Sequence, residues 1–195
     1  TSENGMGTLS AEVCIADNAV EGAQYGIQAY IMTESTAIVT NNTVTDAEWG
    51  LHLTSSEGVE VRDNTFKRNK CGMFVGGGSD TVIERNAFLE NTIGLYLTYD
   101  LNTIVRDNFF SKNSELGLKA ESSYGLVVED CYFYMNGDET NYEDGGARLT
   151  GVEGVVGNCT FYLNLGNGLY VDDSELIIYN GEYDQNDEYG LNVND

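Results

Sequence analysis

Apolar and polar positions alternate along this chain in short bursts, and the bursts recur. After a glycine come an apolar residue, a variable one and a second apolar one, as in Gly50-Leu51-His52-Leu53, Gly94-Leu95-Tyr96-Leu97 and Gly168-Leu169-Tyr170-Val171. A period of two predicts a short strand with one buried face. A polar turn follows, then a second alternation such as Val59/Val61, Leu126/Val128 or Leu176/Ile178. The unit closes on Asn-x-Phe-x-x-Asn, after which the next glycine begins the pattern again. Gly26, Gly50, Gly72, Gly94, Gly117, Gly146, Gly168 and Gly190 open successive units, 22 to 24 residues apart except for one interval of 29. Self-similarity at this period predicts stacked units, none able to bury its apolar face without neighbours.

Aligning the units gives columns. One runs Asn18, Asn42, Asn64, Asn86 and Asn108 and continues as Cys131 and Cys159; two residues on lie Val20, Val44, Phe66, Phe88, Phe110, Phe133 and Phe161. A further column runs Asn69, Asn91, Asn113, Asn136, Asn164 and Asn186. Units this short leave no room for a crossover helix of about a dozen residues, so each strand pairs with its equivalent one lap away. The prediction is an all-β fold, a right-handed single-stranded parallel β-helix of about eight turns with three short strands per turn. Phenylalanines stack inside, and asparagines ladder at the bends, where they tolerate left-handed backbone and can bond to the next lap. Proline, which would delete a ladder donor, is absent. Residues 1–195 read as one domain with a loop insertion at 137–145, a rod of about 40 Å at about 4.8 Å per turn. Neither end shows an amphipathic capping helix. The expectation is that the chain is a piece of something longer, or that other molecules cover its ends, copies of itself head to tail giving a filament or sheath.

The repeats GLHLTSSEGVEVRDNTFKRNKC and GLYLTYDLNTIVRDNFFSKNSE resemble those of the pectin-lyase-like superfamily. They are nearest to the β-helix region of periplasmic NosD-like proteins and of archaeal and bacterial surface proteins. The resemblance covers roughly residues 5–195. It implies fold firmly and function weakly, because that superfamily holds lyases, hydrolases, epimerases, adhesins and inert scaffolds. Its lyases carry a calcium-holding Asp cluster with a basic residue nearby; its hydrolases carry Asn-Thr-Asp, Asp-Asp and Gly-His motifs. Asp172-Asp173 resembles the middle motif, and the other two have no counterpart on neighbouring turns.

Charge narrows the partners. Nine Lys and Arg against 32 Asp and Glu give a net charge of −23, which argues against nucleic acid and against an anionic membrane surface. No apolar run approaches the length of a membrane span, so membrane insertion is not expected. The insertion carries Asp138, Glu139, Asn141, Glu143 and Asp144, oxygen donors dense enough to bind calcium or simply to solvate a bulge. Cys131 and Cys159 share a column at a separation that permits a disulfide or two adjacent thiols. The single histidine, His52, reads as a surface residue. Among 13 tyrosines many fall at outward positions, and Phe74, Tyr96 and Tyr170 lie in one outward column as carbohydrate or interface contacts. Two functions are therefore expected. The first is a non-catalytic structural protein, extracellular or at the cell surface, that self-associates through its ends and tyrosine-rich sides. The second is a carbohydrate-binding or polysaccharide-processing module.

Overall fold

A computed structural model of the chain describes residues 12–31, 36–138, 141 and 143–194. Among them are 24 strands and no helix, gathered into three eight-stranded sheets in which every pair is parallel. Sheet I holds the glycine-led strands, Tyr25–Ala29, Trp49–Thr54, Cys71–Gly76, Ile93–Thr98, Leu116–Glu121, Gly145–Thr150, Asn167–Asp172 and Leu191–Asn194. Sheet II holds the second strand of each lap, from Val13–Ala16 to Glu175–Tyr179, and sheet III the third, from Ala19–Glu21 to Glu182–Asp184. The chain is a parallel β-solenoid of about eight turns, as the repeat predicts.

The core is built from the apolar columns. Rings of Phe66, Phe88, Phe110, Phe133 and Phe161 pile face to face with centroids 4.6 to 5.4 Å apart, and Tyr183 caps the pile at 5.1 Å. This stack explains the glycine column. A β-carbon on Gly50 would stand 2.3 Å from the Gly72 carbonyl and 3.0 Å from Phe66; one on Gly72 would stand 2.5 Å from the Gly94 carbonyl. Backbone and a buried ring cannot yield, so the position takes only hydrogen.

The asparagine ladders hold the bends. Asn64 donates from its backbone N to Asn86 Oδ1 at 3.0 Å, and its Nδ2 donates to Asn86 Oδ1, to the Val39 carbonyl one lap below and to the Arg62 carbonyl. Asn42 and Asn86 repeat the pattern, and the second column keeps the bonds to the next asparagine and to the carbonyl one lap below, without the one to the carbonyl two residues back. The structure corrects one expectation. The ladder asparagines are not left-handed; the residue before each of them is, with φ of 59° at Asp63, 51° at Arg85, 55° at Arg68 and 55° at Leu163. That residue turns the corner, which frees the amide to point inward and bond.

Candidate functional site

The strands of sheet I place one outward residue at the middle of every lap, giving the registered column Gln28, His52, Phe74, Tyr96, Lys119, Arg148, Tyr170 and Asn192. Its lower half is aromatic. His52 stacks on Phe74 at 5.0 Å, Trp49 sets an edge against both, Tyr25 packs on His52, and Phe74 meets Tyr96 edge to face at 5.3 Å. The Phe74 ring leans over Gly76, where a β-carbon would collide with it at 2.8 Å. Burial among these rings lowers the pKa of His52, which holds it neutral at pH 7. It stands in the outward column, where the sequence predicts a surface residue, and is half-buried there.

Above the rings the column turns cationic. Lys119 Nζ lies 4.6 Å from the centre of the Tyr96 ring and 2.9 Å from Glu121. Tyr96 donates its hydroxyl to Glu121 Oε2 at 2.5 Å, and burial together with that carboxylate pushes its pKa up to about 12. Arg148 pairs with Glu143 at 2.6 Å and lies over the Tyr170 ring at 5.6 Å. Tyr170, expected as a contact residue, is in the outward column but only 8% exposed. Phe74 and Tyr96 stand next to each other as expected.

Two clefts flank this stretch. One, of about 420 Å³ on the strand-entry side, is lined by Glu115, Lys119, Asp138, Asn141, Asp144 and Arg148 together with Ile93 and Leu116. The other, of about 510 Å³ on the strand-exit side, is lined by Tyr96, Thr98, Tyr99, Glu121, Ser122, Thr150, Gly151 and Asp173. The insertion thus folds against sheet I, where sequence reasoning had no means to place it. Burial, reinforced by the negative charges of Glu115 and Asp138, pushes the Asp144 carboxyl up to about 6, although Asn141 donates to its Oδ1 at 3.1 Å. Asp138 Oδ1 accepts from the Asn141 backbone N, while Glu143 faces Arg148. Glu139 and Tyr142 lie outside the described residues.

Sequence reasoning passed over Trp49, Tyr25, Glu115 and Glu121. Trp49 and Tyr25 occupy the position just before the glycine, so the same alignment that gave the outward column could have found them. The structure holds all four cysteines as free thiols, Cys131 and Cys159 side by side in the corner. Their Sγ atoms donate to Val105 and Val128 carbonyls one lap below, standing in for the asparagine amide. Burial raises the Cys131 pKa, and it pushes Cys71 up to about 12.

A family model described as "Periplasmic copper-binding protein (NosD)" matches residues 3–150. The chain belongs to the NosD family. No curated protein matches this NosD-family chain. Among solved structures it is similar to the enzymatically active domain of tailspike protein 2 of bacteriophage CBA120, at 12% identity and a TM-score of 0.59, over 73% of this chain and 23% of that one. It therefore spans about a quarter of that relative's length, and the likeness is one of fold. A putative glycosyl hydrolase from Parabacteroides merdae (8% identity, TM-score 0.41, 86% of this chain and 76% of that one) follows. So does the Agl-KA catalytic domain (10%, 0.42, 93% and 58%).

The family description names copper, whose ligands are thiolate, thioether and imidazole. The described residues do not fit it. The imidazole is packed between rings, the Sγ atoms of Cys71, Cys131 and Cys159 are turned to backbone carbonyls, and among the described residues no three of His, Cys, Asp and Glu converge. Among the same residues no helix is long and apolar enough to cross a membrane.

Proposed function

We propose that the outer face of sheet I binds a polysaccharide, the chain lying along the rod outside the cytoplasm. The observation that carries this is the unbroken run Trp49, His52, Phe74, Tyr96 and Lys119 on one face, with a cleft on either side lined by carboxylates and hydroxyls. Aromatic rings supply apolar contact area at little cost in side-chain entropy, and flanking polar groups fix orientation. A neutral glycan suits the face best. Both of its cations are already paired with glutamates, and a net charge of −23 repels a polyanion. The location follows the family's description as periplasmic. The test is a glycan array followed by titration calorimetry on the best ligand. Phe74→Ala and Tyr96→Ala should each weaken binding about tenfold, or about 1.4 kcal/mol, with the melting midpoint little changed. Retained affinity in both variants would overturn the reading.

Self-association is the second reading. It is supported by a different face, where sheet II carries a line of outward apolar side chains.

A further inference from the structure

The outer face of sheet II has a column that the carbohydrate reading does not use. In register up the rod stand Glu60, Val82, Ile104, Val127, Val155 and Ile177. Five consecutive turns thus present a β-branched apolar side chain on the outside, Ile177 67% exposed and the four below it half-buried. Single exposed apolar residues are ordinary, but a straight line of five about 19 Å long is a patch. Beside it runs a second outward column, Arg62, Glu84, Arg106, Glu129, Gly157 and Tyr179, in which charge alternates from Arg62 to Glu129; within one chain Arg106 pairs with Glu84 at 2.6 Å and Glu129 accepts from the Tyr179 hydroxyl.

We infer that this face packs against the same face of a second copy, the two rods antiparallel about a two-fold axis midway between the levels of Ile104 and Val127. The inference rests on the self-association reading and is independent of the carbohydrate one. A two-fold interface must be complementary to itself, and the four central laps of this surface are. The rotation sets Val82 against the partner's Val155 and Ile104 against the partner's Val127, so four laps of the apolar line close on themselves, while Ile177 falls opposite the partner's Glu60 at each end. In the neighbouring column the same rotation sets Arg106 against the partner's Glu129, and Glu129 against the partner's Arg106. It also sets Glu84 opposite the partner's Gly157, which lies beneath that copy's Tyr179 ring, so Glu84 meets an aromatic surface there and no like charge. The register is specific. A slip of one lap one way opposes Arg106 to its own copy and Glu84 to the partner's Glu129; a slip the other way opposes Glu129 to its own copy. Like charges brought together in this way suppress the wrong registers. A partner of different sequence would have no reason to meet Arg106 and Glu129 reciprocally.

The experiment is sedimentation of the whole chain from micromolar to millimolar concentration, with the dissociation constant as readout. Arg106 and Glu129 are also neighbours within one chain, so melting temperature would not separate the two effects. The wild type should dimerise. Val127→Asp should weaken the dimer more than tenfold, with an unchanged circular-dichroism spectrum because the side chain points outward. Arg106→Glu and Glu129→Arg should each weaken it about tenfold, and the double reversal should restore most of the loss. Should Val127→Asp fail to fold, the three charge variants decide. A wild type that stays monomeric overturns the inference and the self-association reading together. A dimer indifferent to these substitutions overturns the inference alone, and so does a double reversal that restores nothing.

Discussion

Two neighbouring residues do the work at each bend, and they divide it. The first adopts the left-handed backbone conformation, at a cost of about 1 kcal/mol for a side chain such as Leu163 or Met135. The second, an asparagine, offsets that cost by donating to two carbonyls in the first column or one in the second, and its Oδ1 accepts twice from the lap below. Cysteine at 131 and 159 keeps only part of the arrangement, a thiol aimed at the carbonyl one lap down. It follows that Asn64→Ala should lose about 2 to 4 kcal/mol, since it orphans the Val39 and Arg62 carbonyls and the Asn42 amide. Asn64→Cys should lose roughly half as much. Denaturant unfolding checks both, and equal losses would show that the donors contribute little.

At the scale of strands and loops, one repeat yields three faces of different character. Sheet I is aromatic and then cationic, sheet II has its apolar line, and sheet III exposes Phe109 and Tyr132. The inward columns were legible from the sequence because burial imposes the same demand on every lap, so Phe66 to Phe161 and the two asparagine ladders declare themselves by repetition. The outward positions carry no such demand. Lys119 and Arg148 could be assigned to their column, but their pairing with Glu121 and Glu143 depends on side-chain reach and on how the insertion folds back. The raised pKa of Asp144 arises in the same way, from burial and from negative neighbours brought up by a loop that periodicity does not govern. Between about pH 4 and about pH 6 the folded chain keeps a proton on Asp144 that the unfolded chain has released, so this group makes stability fall as pH rises through that window. Asp144→Asn should therefore be more stable than the wild type at pH 7, by about 1 to 2 kcal/mol, and no different at pH 3.5. Melting curves at the two values test this; a variant less stable at pH 7 would mean that the ionised carboxylate is held by its cationic neighbours.

For the whole molecule, the solenoid turns a one-dimensional repeat into long parallel stripes, and what the protein can touch is set by which stripe faces it. A net charge of −23 spread over such a rod keeps most surfaces apart, while each of the three sheets offers apolar or aromatic side chains along several laps. Membership of the NosD family fixes the architecture, while the copper named in the family's description finds no matching ligand set among the described residues. The central claim is that sheet I is the carbohydrate face. Backbone amide shifts recorded by NMR during titration with the array's best glycan test it most directly. The account predicts changes confined to the laps around His52, Phe74, Tyr96, Lys119 and Arg148 and to the two clefts. Changes centred on sheet III around Phe109 and Tyr132, or on sheet II, would contradict it.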